Sequence, residues 1–157
     1  MKRLLVLSDS HGRATDLAHI CALHPEADHV IFLGDGEADV ELLELSFPQL
    51  KVLAVQGNND FFSSLPHTDT LLVNGVRVLY THGHRYGVKG GFGQLVREAK
   101  SRGCSIVLYG HTHEARCDKL DGVYLINPGA VLSWPARFAL VDITDEGYPI
   151  VSHGKLK

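Results

Sequence analysis

The chain has 157 residues, of which 45% are hydrophobic and 21% charged, and its formal net charge at pH 7 is -3. This composition is enough to bury one substantial core, and we expect a single domain over residues 1–157. The slight negative charge gives no chain-wide positive field, which argues against a protein that coats nucleic acid or binds anionic membranes.

Apolar runs in the N-terminal third predict alternating strands and helices. Residues 4–7 form an apolar run that is too short for the core of a signal peptide, and we interpret it as a buried strand. Helical spacing of apolar residues follows this strand and the next one, and the second helix stops at Pro48. The three predicted strands are residues 4–7, 29–33 and 52–55. This βαβαβ pattern predicts a sheet covered by helices.

The remaining chain predicts hairpins and one further helix. Asn74-Gly75 is a strong signal for a two-residue hairpin turn, and Asp121-Gly122 marks a later turn. There is no internal repeat or linker, so we expect both halves to share one fold. A helix is predicted over residues 92–99, and strands are predicted over residues 70–73, 76–80, 105–109, 123–126, 138–143 and 148–152.

Three features of the sequence concern membrane contact, the state of the cysteines and assembly. No apolar stretch approaches the roughly 20 residues that span a bilayer, so we expect a cytoplasmic protein without membrane contact. Cys21, Cys104 and Cys117 are odd in number and widely separated, and we expect them to be buried, reduced thiols. The exposed faces of the last hairpin leave open a homo-oligomer.

Polar residues follow the ends of five predicted strands. Loops beyond the carboxyl ends of parallel strands converge on one crevice of an α/β sheet, so we expect these side chains to meet at a single site. The residues are Asp9, His11, Asp35, Asn58, Asn59, Asp60, His82, His84, His111 and His113.

The spacing and type of these residues predict a metal site. Asp9 and His11, like His111 and His113, are two positions apart. In an extended segment such side chains point the same way from Cα atoms about 7 Å apart, and can reach two ions about 3.5 to 4 Å apart. Imidazole, carboxylate and amide ligands without thiolate suit Mn, Fe, Co, Ni or Zn. The pattern therefore predicts a pair of divalent ions.

Each residue taken alone has a simpler interpretation. Asp35 and Asn58 lie in sequences typical of turns, and Asp9 fits the N-cap of a helix. His82 alone is typical of a hydrogen-bonded loop histidine. These roles do not explain why histidine recurs after three strands, so we favour the metal site. Five other histidines show no comparable placement and are interpreted as surface or packing residues: His19, His24, His29, His67 and His153.

Five motifs between Ser8 and His113 resemble the signature of the calcineurin-type metallophosphoesterase superfamily. They read SDSHG, LGDGEAD, QGNND, THGH and YGHTH in chain order. The short chain and a late INPGA sequence resemble the small YfcE-type phosphodiesterases, although Ala130 stands where the family often has Ser. The resemblance implies an α/β fold, a four-layer αββα sandwich of two mixed β-sheets flanked by helices.

The resemblance also implies a role for each ligand and a reaction. One ion would be held by Asp9, His11 and His113, the other by Asn58, His82 and His111, with Asp35 bridging both. A hydroxide between the two ions would then attack a small phosphodiester without a side-chain nucleophile. We expect Mn²⁺ as the ion, with Fe, Ni, Co and Zn as alternatives.

Asn59 departs from the pattern of many family members, which have a histidine there as general acid. An amide cannot donate a titrating proton. We therefore expect good leaving groups, or help from His84 or a metal-bound water, and we retain His84 and Asn59 as candidate catalytic residues. Asp60 has no histidine to orient, and we expect it to brace its loop. Asn127 either braces the site through its amide or has a structural role in the core or in a turn.

The leading hypothesis is a metal-dependent phosphodiesterase, with two alternatives. One is a non-catalytic binding scaffold on the same fold, as in the retromer subunit that resembles this family but has lost catalytic ligands. The other is a phosphomonoesterase. All seven ligand positions hold competent residues, which favours an enzyme. The glycine-rich segment 86–93 fits either a flexible lip over the substrate, with Lys89 contacting a phosphate, or a simple turn. Arg116 and Arg137 fit either residues that contact an anion or solvated surface residues.

Overall fold

The computed structural model describes residues 1–157 and contains ten strands, three α-helices and one short 3₁₀ helix. The strands are β1 (Lys2–Leu7), β2 (His29–Phe32), β3 (Val52–Ala54), β4 (Thr68–Val73), β5 (Val76–Thr81), β6 (Cys104–Leu108), β7 (Arg116–Leu120), β8 (Val123–Asn127), β9 (Arg137–Ile143) and β10 (Pro149–Lys155). The helices are α1 (Ala14–Leu23), α2 (Glu37–Ser46) and α3 (Gly93–Ser101), and the 3₁₀ helix is His84–Tyr86.

The strands form two five-stranded sheets, each mixed in direction. The first sheet has the order β10-β9-β1-β2-β3, and the second has the order β4-β5-β6-β8-β7. Strands β1, β2 and β3 run parallel, as do β5, β6 and β8, while the remaining strands pair antiparallel at the edges. Parallel strands end on the same side of their sheet. The carboxyl ends of β1, β2 and β3 therefore lie together in the first sheet, and those of β5, β6 and β8 lie together in the second, and the polar motifs begin there.

Three apolar clusters hold four layers together. Leu4 and Val6 of β1 belong to the cluster between the two sheets, whereas Leu5 and Leu7 face α1 and α2. This alternation is the period of two that a β-strand imposes on its side chains. Helix α3 covers the outer face of the second sheet through Leu95 and the residues around it. The predicted αββα sandwich is confirmed.

Some sequence-based predictions differ from the structure. Strand β7 was not predicted, because its sequence RCDKL is polar and it lies exposed at a sheet edge. The three cysteines are free thiols, but the prediction that all are buried is wrong: Cys117 is exposed on β7 and Cys21 is only partly buried. Burial raises the pKa of the Cys21 thiol to about 11. No helix of the structure combines the length and apolar character that a membrane crossing needs.

The predicted turn at Asn74-Gly75 also links the two sheets. Both residues have a positive φ, as a type I′ turn requires, and the Asn74 amide donates hydrogen bonds to the carbonyls of Ile143 at 2.9 Å and Thr144 at 3.3 Å. We expect Asn74→Ala to lower the free energy of unfolding by about 1–2 kcal/mol, because it loses these bonds and strains the left-handed residue. Urea denaturation measures this.

The variant Asn74→Gly separates the two causes of that loss. Glycine adopts the turn without strain but cannot bond to β9, so we expect an intermediate stability. If Asn74→Ala unfolds at the same urea concentration as the wild type, neither the hydrogen bonds of Asn74 nor the backbone strain contributes to stability.

Candidate metal centre

The segments that follow β1, β2 and β6 turn sharply through left-handed backbone. Five residues predicted as ligands have a positive φ, which costs a non-glycine residue about 1–2 kcal/mol; such strain is concentrated at functional sites. The assumption that the i, i+2 pairs are extended is therefore wrong, although both pairs still reach the same place. The five residues are Asp9 at 55°, His11 at 43°, Asp35 at 62°, His111 at 69° and His113 at 62°.

The buried carboxylate of Asp9 lies at the middle of the cluster. Its Oδ1 atom is 3.4 Å from Nε2 of His11, 3.1 Å from Nε2 of His113 and 3.8 Å from Nε2 of His82. Its Oδ2 atom accepts hydrogen bonds from the Ser8 hydroxyl and from the backbone N–H of His111. Asp9 therefore joins residues that follow β1, β5 and β6.

A second carboxylate, Asp35, connects both groups of histidines. Its Oδ2 atom is 3.3 Å from Nε2 of His82 and 3.6 Å from Nε2 of His11. Nδ1 of His111 lies 3.2 Å from the same His82 nitrogen. Burial raises the pKa of Asp35, but hydrogen bonding to His82 and Asn59 outweighs it and holds the pKa well below its usual range. Asp35 is therefore an ionised group between the two halves of the cluster.

Six of the seven predicted ligands lie together in this cluster. The seventh, Asn58, is exposed and its side chain makes no hydrogen bond. The neighbouring Asn59 instead faces Asp35: its backbone N–H donates to Oδ1 at 2.8 Å and its amide donates to Oδ2 at 2.9 Å. Asn59 thus orients the central carboxylate.

The donor atoms fit divalent metal ions. Two groups of three side chains each place one ligand atom within 4.8 Å of the others: Asp9 with His11 and His113, and Asp9 with Asp35 and His82. Carboxylate oxygens and imidazole nitrogens converge without a thiolate, which suits first-row divalent ions. Nδ1 of His82 lies 2.7 Å from the carbonyl of Leu33, so a proton on that nitrogen leaves Nε2 free for a metal.

Glycines allow the ligand loops to approach one another closely. A Cβ atom on Gly57 would lie 2.6 Å from the backbone nitrogen of Asp35, and one on Gly110 would lie 2.8 Å from Oδ2 of Asp9. Neither contact leaves room for a side chain. The glycines of QGNND and YGHTH therefore contribute to the site through their lack of a side chain.

Asp60 binds the loops after β2 and β3 to each other. Its carboxylate accepts hydrogen bonds from the backbone N–H groups of Asp35 at 2.8 Å, Gly36 at 3.0 Å, Glu37 at 3.0 Å and Gly57 at 2.8 Å. Two of these groups lie at the start of α2, which has no side-chain cap of its own. The expectation that Asp60 braces its loop is confirmed.

Asn127 braces the loop that carries the last two histidines. Its buried amide donates to the Gly110 carbonyl at 3.2 Å and to the Thr112 hydroxyl at 3.0 Å, and its carbonyl accepts from the Gly129 N–H at 2.9 Å. Of the two roles that the sequence left open, the structure supports bracing. Ala130 is fully buried.

His84 and His67 extend the row of imidazoles beyond the metal cluster. The ring of His84 lies 5.3 Å from that of His82 and 6.1 Å from that of His111, and the ring of His67 lies 6.0 Å from His84. Burial and the neighbouring histidines lower the pKa of His84 to about 4. His67, interpreted from the sequence as a surface or packing residue, is partly buried and its ring lies beside that of His84.

Asp39 is a second residue whose place the sequence did not reveal. Its buried carboxylate accepts hydrogen bonds from the Ser10 hydroxyl at 2.5 Å and from the Gly12 N–H at 2.9 Å. It thereby fixes the loop after β1 against α2. The only available signal was its place in the LGDGEAD motif.

Comparisons with known proteins agree with this geometry. Residues 1–146 match the model of the calcineurin-like phosphoesterase superfamily domain. The probable metallophosphoesterase YsnB of Bacillus subtilis (strain 168) is 35% identical over 130 residues, which cover 82% of this chain and 74% of that protein. A protein of Methanocaldococcus jannaschii named as a phosphodiesterase is 23% identical over 156 residues, covering 89% and 90%.

A solved structure shows the same fold. It is the crystal structure of a conserved protein from Streptococcus pneumoniae TIGR4, described as a predicted phosphoesterase. The TM-score is 0.80 at 24% sequence identity, and the match covers 98% of this chain and 89% of that one.

Proposed function

Because the chain belongs to the calcineurin-like phosphoesterase superfamily, we propose that it is a metal-dependent phosphodiesterase acting on small phosphodiesters. The observation that carries the proposal is the convergence of histidines from three loops on the carboxylates of Asp9 and Asp35. The ligands come from both sheets, so we propose that residues 1–157 act as one unit.

The proposed ligand sets follow from the positions of the two carboxylates. Asp9, His11 and His113 would hold one ion; His82, His111 and Asn58 would hold the other, with Asp35 bridging both. The side chain of Asn58 is exposed and makes no hydrogen bond, so its amide has no competing partner. Divalent ions held there, for which we propose Mn²⁺, would lower the pKa of bound water and neutralise charge on phosphate oxygens.

Other residues are proposed to position the groups and the substrate. Asn59 keeps the Asp35 carboxylate in place through two donors, which gives this amide an orienting role and not a proton-donating one. Burial lowers the pKa of the His111 imidazole most, and the charges of His82 and Lys89 lower it further. The Lys89 ammonium therefore lies near the proposed ligands. We propose that this ammonium neutralises a phosphate oxygen of the substrate. His84 is the candidate for proton exchange with the leaving group.

We propose phosphodiesters with good leaving groups as substrates, and the preference for such leaving groups follows from Asn59. The position has no titrating proton to give, so a leaving group that departs unaided is the better substrate. The M. jannaschii relative, which is named as a phosphodiesterase, supports the same class.

We expect the purified protein to hydrolyse bis-p-nitrophenyl phosphate with Mn²⁺ and to act more slowly on p-nitrophenyl phosphate. EDTA should abolish the reaction, because the carboxylates and imidazoles would lose the ions that they hold, and added Mn²⁺ should restore it. Absorbance of released p-nitrophenolate measures both rates.

Three outcomes discriminate among the hypotheses. Activity that survives EDTA contradicts a metal mechanism. A faster monoester reaction favours a phosphomonoesterase. No hydrolysis of either ester with Mn²⁺, Fe²⁺, Co²⁺, Ni²⁺ or Zn²⁺ favours a binding scaffold.

A further inference from the structure

A cleft lined by basic and hydroxyl side chains opens beside the metal centre. Its volume is about 450 Å³ and it is lined by His67, Thr68, Arg85, Tyr86 and Arg102, which we call the basic cleft. None of these five residues is acidic. None of its lining residues is in either of the two groups of side chains that fit a metal ion.

The cations of the basic cleft are poorly neutralised. Arg85 forms no ion pair, and Arg102 pairs only with Glu98 at 3.1 Å, on α3. Burial and the charge of Arg85 lower the pKa of His67. A further cation, Arg77, donates to the Arg102 carbonyl at 3.3 Å. An arginine without an acidic partner close to other positive charges, as Arg85 is, is unfavourable alone and is stabilised when an anion binds beside it.

Hydrogen bonds hold the polar floor of the cleft in place. The Thr68 hydroxyl lies 2.9 Å from the Tyr86 hydroxyl and 3.0 Å from the Thr81 hydroxyl, and Thr81 donates to the His67 carbonyl at 2.8 Å. Nδ1 of His67 is buried and has no hydrogen-bond partner. The floor is therefore fixed before any ligand arrives, which lowers the entropy cost of binding.

A row of imidazoles leads from the basic cleft to the metal centre. His67 lines the cleft and its ring lies 6.0 Å from that of His84, which lies 5.3 Å from the ring of His82. A substrate whose phosphodiester sat at the metal centre would reach the cleft by extending past His84 with the group attached on that side.

We propose that the basic cleft binds a second phosphate of the substrate, so that the enzyme prefers phosphodiesters with a phosphate monoester on one of the esterified groups. The inference rests on the proposed phosphodiesterase function. Arg85 is its main contact because its guanidinium has no competing partner, and paired N–H donors of arginine suit phosphate oxygens.

Two chromogenic substrates test the proposal. One is the p-nitrophenyl ester of thymidine 5′-phosphate, and the other is the same ester with an added 3′-phosphate. We expect kcat/KM to be about tenfold higher for the doubly phosphorylated ester in the wild type. Arg85→Met should remove this preference. Arg97→Met on α3, which replaces an exposed arginine without an ion pair, should retain it.

Equal kcat/KM for both esters in the wild type, or a preference that survives Arg85→Met, overturns the proposal. If neither ester is hydrolysed, the phosphodiesterase proposal fails and the cleft is tested separately. Thymidine 3′,5′-bisphosphate, added to EDTA-treated protein, should shift the amide NMR signals of Thr68 and Tyr86, with weaker binding in Arg85→Met. Unshifted signals, or equal binding in both proteins, reject the cleft as a phosphate site.

Discussion

Replacing His111 with alanine should reduce Mn²⁺-dependent hydrolysis of bis-p-nitrophenyl phosphate by at least about a thousandfold. The imidazole lies 3.2 Å from that of His82, and its removal takes one donor from the proposed ligand set. The fold should survive, because the hydrogen bond from residue 111 to Asp9 comes from the backbone N–H and remains available to alanine.

The measurement combines initial rates with bound Mn²⁺ by elemental analysis and with circular dichroism. His19→Ala, which changes an exposed histidine on α1, is the matched control and should match the wild type in all three. A His111→Ala protein that is folded and retains more than a tenth of the wild-type rate would remove His111 from the proposed ligand set.

Asp60→Ala should lower the free energy of unfolding by about 2–4 kcal/mol, because four backbone N–H groups lose one shared acceptor. Water replaces part of the loss, since the side chain is only partly buried. The start of α2 also loses a negative charge close to its N–H groups. Activity should fall with stability, because Asp35 lies on the loop that Asp60 holds.

Urea denaturation of three variants checks this expectation. Asp60→Asn keeps one acceptor oxygen and should lie between Asp60→Ala and the wild type. Lys100→Ala, which breaks an exposed ion pair between α3 and Asp121, should change stability by less than about 1 kcal/mol. If Asp60→Ala and Lys100→Ala unfold at the same urea concentration, the four hydrogen bonds of Asp60 do not contribute to stability.

Local patterns in the sequence were enough to predict much of this protein. The apolar run of residues 4–7 identified β1, and Asn74-Gly75 identified the turn between β4 and β5. The placement of Asp9, Asp35 and the paired histidines directly after strands indicated a shared site. These inferences succeed because periodicity and turn chemistry depend on residues near one another in the chain.

Only the tertiary structure decided which distant groups meet. The left-handed backbone at His111, the four bonds to Asp60 and the proximity of His67 to His84 have no local signature. Strand β7 was missed for the same reason, since it pairs through its backbone with β8 and buries almost no apolar surface. Which loops touch depends on strand order and register across two sheets, and those are fixed by packing over the whole chain and not by any short segment.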